Sequence, residues 1–137
     1  MQSNNLYSVQ TDKSIQSFLG DFGGIARKTG FVIHNADTMD MANSFGRHGV
    51  EIPADFDLHM VQICKPEKAA KSLAANPERA VLMPKYIMLF TKDGKTQIRF
   101  LRFGSEEISA IVGDPLFPSS LAETYDRIVA MIEEARR

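Results

Sequence analysis

The sequence predicts an α+β fold, an antiparallel sheet with helices packed on one face. Three observations carry that expectation. Strand-like and helix-like segments interleave along the chain, an Asp-Gly turn joins two strands rich in β-branched and aromatic residues, and the chain closes on a long amphipathic helix.

In chain order, Leu6 to Gln10 reads as a first strand. Thr11 or Asp12 then caps a helix whose Ile15, Phe18, Leu19, Phe22, Ile25 and Ala26 keep helical spacing. Arg27 and Lys28 suit its last turn and Gly30 its stop. Gly23-Gly24 weakens this segment by roughly 1 kcal/mol per glycine, so a kink or a close neighbour is expected there. Phe31 to Asn35 reads as the next strand. A short helix over Asp37 to Arg47 is allowed, with Met41, Ala42 and Phe45 turned inward.

Pro53 to Asp57 leads irregularly into a strand, Leu58 to Cys64. Pro66 opens a helix to Ala75 that is expected to bury Ala69, Ala70, Leu73 and Ala74, and Asn76-Pro77 ends it. Tyr86 to Thr91 and Thr96 to Phe103 flank Lys92-Asp93-Gly94-Lys95 and form a hairpin. Ser120 and Glu123 read as the capping box of the last helix, Ser120 to Ala135, with Leu121, Tyr125, Ile128, Val129 and Ile132 as its apolar stripe. The resulting order is β-α-β-β-α-β-β-α, in one domain over residues 1–137.

Composition excludes several functions. Sixteen basic against seventeen acidic residues leave a net charge of -1, so the basic footprint of a nucleic-acid binder is missing. The apolar stretch from Ala80 to Phe90 is broken by Pro84 and Lys85 and is too short to span a bilayer. One cysteine builds neither an internal disulfide nor a structural zinc site, and His34, His48 and His59 lack paired spacing, so no metal or cofactor is expected. The polar start Met1-Gln2-Ser3-Asn4-Asn5 has no signal-peptide pattern, and a cytoplasmic protein is expected.

The candidate site is the turn Cys64-Lys65-Pro66-Glu67-Lys68. Here a strand gives way to a helix whose first N–H groups carry partial positive charge, which favours an anion or a thiolate. The plain alternative is that Cys64 is a small buried hydrophobe. His59 lies on the opposite strand face, so no local Cys-His pair forms and no catalytic residue is assigned. Lys65, Lys68, Lys71, Arg79 and Lys85 bias the region toward positive charge, as a solvated face or as an anion site. Glu106-Glu107 and Glu133-Glu134 diverge too far to share a substrate atom and read as solubility residues.

Gly30-Phe31-Val32-Ile33, Cys64-Lys65-Pro66 with Lys68-Ala69, Pro84, and Asp93-Gly94-Lys95 together resemble domain of unknown function family 302, small and mostly prokaryotic proteins, over roughly Tyr7 to Ala135. The resemblance implies a fold like half of the TATA-box-binding protein, with a curved sheet, and a homodimer; it implies nothing about DNA. Many members carry Pro-Cys where this chain has Pro84-Lys85, and Asn-Pro where it has Lys65-Pro66. A two-cysteine role is thereby removed, and Lys85 is expected within reach of the Cys64 region.

These readings converge on a non-enzymatic, homodimeric module that binds a small or anionic ligand. Cys64, Lys65, Pro66, Lys68 and Lys85 are its candidate binding residues. The alternatives are a sulfur-carrier or redox-sensing role for Cys64, and a protein–protein interaction module. A partially exposed, electropositive cysteine would favour the thiol role.

Overall fold

The computed structural model describes residues 5–137, and the polar start read at residues 1–4 lies outside them. The elements are β1 (Leu6–Thr11), α1 (Ile15–Lys28), β2 (Val32–Ile33), α2 (Met41–Arg47), β3 (His59–Cys64), α3 (Pro66–Ala75), β4 (Tyr86–Lys92), β5 (Lys95–Leu101), α4 (Ser105–Ile111) and α5 (Phe117–Ala135). A 3₁₀ segment, Pro77–Leu82, links α3 to β4. The five strands form one sheet in the order β1-β5-β4-β3-β2, every pair antiparallel.

Turn chemistry sets the centre of the sheet. Asp93 and Gly94 both take positive φ, 56° and 75°, as a two-residue hairpin loop matched to strand twist requires. Lys92 therefore faces Lys95, and the register continues to Ile87 opposite Phe100. Alternation then sorts the side chains. Val61, Ile63, Ile87, Leu89, Ile98 and Phe100 face the helices and are fully buried. The other face carries Met60, Gln62, Tyr86, Met88 and Phe90 half-buried, with Leu6, Val32 and Leu101 exposed.

Helices α1 and α5 lie over the inner face. Helix α1 is capped by Ser14, whose side chain accepts from Ser17 N–H, and not by Thr11 or Asp12. Thr11 closes β1 and donates to the Arg136 carbonyl. Phe18, Phe22 and Ala26 are buried against Ile128, Met131 and Ile132 of the same core, each large side chain contributing about 1.5–3 kcal/mol relative to exposure. Phe18 stacks on Phe22 at 5.7 Å, and Phe100 meets Tyr125 edge-on at 5.8 Å. Gly23 sits tightly: a Cβ there would come within 3.3 Å of the Arg27 guanidinium. Gly30, at φ 83°, turns the chain out of α1.

Several expectations need correction. The sequence order omitted α4 and left α2 outside the count. Gly104 is the N-cap of α4, and its N–H donates to the Glu107 carboxylate at 3.2 Å, so Glu107 has a structural task beyond solubility. Helix α5 begins at Phe117, three residues before the proposed capping box. Asp114 supplies the acceptor there, taking the N–H groups of Leu116 and Phe117 at 2.9 and 3.1 Å, which leaves Ser120 inside the helix. The strand read over Phe31 to Asn35 pairs in a regular ladder only at Val32–Ile33. Helix α3 buries none of its residues; Ala69 and Leu73 are half-buried, Ala70 and Ala74 exposed. It packs on the 3₁₀ segment at the margin of the sheet, away from the core.

Candidate functional site

Lys65 follows β3 in an extended conformation (φ -107°, ψ 92°) and stands at the N-cap of α3, with Pro66 as the first helical residue. Proline suits that place because its missing N–H would have no partner there. No side chain caps the turn. The Lys65 ammonium lies 5.6 Å from the centre of the Phe31 ring, a cation–π arrangement.

One turn on, Lys68 reaches across to α5. Its Nζ donates to Thr124 Oγ1 at 2.7 Å and to the Ser120 carbonyl at 3.1 Å. Lys85, just before β4, points inward on the same strand face as Ile63, since Ile63 N–H donates to the Lys85 carbonyl at 3.0 Å. It is buried, and its Nζ donates to the Met83 carbonyl at 2.8 Å.

These three lysines line one cleft between α3, α5 and the start of β4, with Ser72, Met83 and Phe117 among its other walls. The cleft is narrow. It leaves about 30 Å³ for the centre of a water-sized molecule, which suits one or two waters or an anion of a few heavy atoms. Among the described residues, none of the three ammonium groups takes part in an ion pair. Burial pushes the Lys85 ammonium below the ordinary lysine range; a charge on Cys64 opposes the shift and Lys68 adds to it. Lys68 is likewise lowered, first by burial, with Glu123 opposing and Lys65 and Arg127 adding to the shift. Both groups carry charge where the protein solvates it poorly.

The other two cations of the basic group are used differently. Lys71 is exposed and pairs with Glu67 at 3.6 Å on the outer face of α3. Arg79 is held by Asp114, Nε at 2.8 Å and Nη2 at 2.7 Å, with its Nη1 donating to the Ser72 carbonyl and hydroxyl. Asn76 Nδ2 adds a further donor to Asp114 at 2.9 Å. The hydrogen bonds from Asn76 and Leu116, with those of Arg79 and Phe117, hold the Asp114 carboxyl far below the usual carboxylate range. This cluster ties α3 and the 3₁₀ segment to the start of α5 and so fixes two walls of the cleft.

Cys64 is half-buried and does not line the cleft. It pairs with Val32 on the outer face of the sheet, opposite to Ile63 and Lys85. Lys85 stands close enough to feel a charge on Cys64, which is as far as the expected link goes, because no hydrogen bond joins them. Pro66 is exposed outside the cleft and shapes it only by starting α3. The sequence reading missed Ser120, Thr124, Met83 and Phe117. Thr124 had one visible signal: it is a hydroxyl residue in the buried register of the Leu121, Tyr125, Ile128 stripe. Among the described residues no group of three His, Cys, Asp or Glu side chains could hold a metal ion, and no helix is long and apolar enough to cross a membrane.

The fold and the cleft define a small α+β domain with an open five-stranded antiparallel sheet. A family model for a domain of unknown function, DUF302, matches residues 7–135, and the chain belongs to that family. The crystal structure of an uncharacterized conserved DUF302 protein from Bacillus stearothermophilus superposes with a TM-score of 0.78 at 16% identity, covering 98% of this chain and all of that one. At that identity the likeness concerns the fold alone. No curated protein matches the chain.

Proposed function

We propose that this chain is a binding module for a small anion, held in the cleft between α3 and α5 by Lys65, Lys68 and Lys85. The observation that carries the reading is that Lys65, Lys68 and Lys85 line one narrow cleft and, among the described residues, have no ion-pair partner. A protein interior normally pairs its buried cations; Lys85 is buried without such a partner among the described residues, whereas Arg79 a short way along the same wall is paired. An oxyanion in the cleft supplies the missing charge and accepts from donors already held on the frame.

Isothermal titration with inorganic phosphate tests the reading. Heat of binding in the wild type, reduced at least tenfold in affinity by Lys68→Met and by Lys85→Met, is the expected result. Equal affinity in all three proteins, or no binding in any, rejects the cleft as the site.

The same reading includes a homodimer joined through the outer sheet face. Its support is the apolar surface on the β2 and β3 side of that face, where Val32 is exposed and Cys64 and Met60 are half-buried. Light scattering giving twice the chain mass, reduced to one chain by Val32→Asp, is the expected outcome; a monomer at all concentrations removes this part. The arrangement lends less support to a thiol role, because Cys64 faces away from the lysines.

A further inference from the structure

Lys85 lines a second space as well. Beyond it lies a groove of about 220 Å³ walled by Val81, Leu82, Met88, Leu101, Phe103 and Tyr125, with Pro84 and Tyr86 at its margin. Its surface is mainly apolar, and two of its large side chains, Val81 and Leu101, are more than half exposed. Single exposed apolar residues are ordinary, but a concave set of them beside a buried cation is the usual make-up of a ligand pocket. The narrow cleft has room only for a compact group, while the groove is several times larger and, among the described residues, has no charged side chain apart from Lys85 itself.

We infer that the ligand is an amphiphilic anion: a carboxylate head in the lysine cleft and an unbranched apolar chain in the groove, with Lys85 as the common wall. The inference rests on the anion reading of the cleft and adds the class of molecule. Charge complementarity selects the head, and the apolar walls select the tail. Each methylene buried from water contributes about 0.8 kcal/mol, close to a fourfold change in affinity. Partial burial of a chain of several carbons therefore tightens binding by roughly tenfold or more.

Two methionines report on the two spaces separately, since Met83 lines the cleft and Met88 the groove. The test is a titration of the full chain, carrying ¹³C-labelled methionine methyl groups, with acetate, octanoate and inorganic phosphate. Acetate and phosphate are expected to move the Met83 signal alone. Octanoate is expected to move Met83 and Met88 together and to bind at least tenfold more tightly than acetate. Val81→Ser, at an exposed wall of the groove on the 3₁₀ segment, is expected to reduce the octanoate advantage over acetate. Octanoate binding no tighter than acetate, or moving Met83 alone, overturns the inference while the anion reading stands. Octanoate moving Met88 equally in wild type and Lys85→Met also overturns it, because head and tail are then not read together. Silence of Met83 toward acetate and phosphate overturns both.

Discussion

Two cationic clusters share the wall formed by α3, the 3₁₀ segment and α5, and they are built on opposite terms. Around Arg79 each charge is answered: Asp114 accepts from Asn76, Arg79, Leu116 and Phe117, and Arg79 also stacks 5.4 Å from the Phe117 ring. Around Lys68 and Lys85 the ammonium groups hydrogen-bond, among the described residues, to carbonyls and one hydroxyl. A satisfied pair of this kind fixes a structure, whereas poorly solvated cations without an ion-pair contact raise the energy of the empty state and favour an anion. The first cluster serves the fold, and the second is where we propose that an anion binds.

The largest way to break this comparison is Asp114→Ala. It removes the cap of α5 and the partner of Arg79 at once, so the thermal midpoint should fall sharply and phosphate binding should be lost along with the cleft wall; a midpoint near wild type would show that the cluster is not structural. Removing the cation from the second cluster should act in the opposite direction. Lys85→Met replaces a buried charge by an apolar chain of similar length, so the ligand-free protein should melt higher than wild type. Phosphate at a hundred times its Kd should stabilise wild type by about 2.7 kcal/mol and the variant far less. A variant less stable than wild type without phosphate would contradict the assigned cost of that charge.

Acid and base separate the clusters next. The folded Asp114 carboxyl lies below its unfolded value of about 3.9. Its contribution is therefore present above that value and is lost as pH falls toward its folded one. Lys85 and Lys68 are lowered from their usual value, so the unfolded chain holds those protons longer. The ligand-free protein should gain stability as pH climbs from the folded lysine values toward about 10.4, while phosphate affinity falls over the same window. Denaturant titrations across pH, with and without phosphate, measure both slopes. The smallest effect belongs to Lys71→Ala, which breaks only an exposed pair and should change stability by less than about 0.5 kcal/mol.

The sequence exposed the parts of this fold whose causes are local. Asp93-Gly94 can only be a tight turn of positive φ, and Pro66 starts a helix because its ring leaves the first turn intact. The α5 stripe from Leu121 to Ile132 follows from periodicity. What stayed hidden depends on partners distant in the chain or on an unanticipated cap. Asp114 caps α5 across Pro115 and also answers Arg79, and nothing in the run Val112 to Pro118 reveals that second partner. Helix α3 has an apolar pattern but sits at the sheet margin, so its alanines stay accessible. The candidate turn was visible as a charge-bearing strand–helix junction, and Lys85 was linked to it by resemblance. The weighting fell on Cys64, yet alternation along β3 sends Cys64 to the outer face and leaves the lysines together. The Thr124 and Ser120 contributions come from α5, dozens of residues away.

The most direct test of the account is the titration of Lys85 itself, followed by the NMR signal of its ¹³Cε methylene with and without saturating phosphate. Without phosphate the ammonium should lose its proton below the ordinary lysine range, and with phosphate the titration should move up, because the bound anion favours the charged form. A Lys85 titration that phosphate leaves unmoved would contradict the claim that this cleft is built to hold an anion.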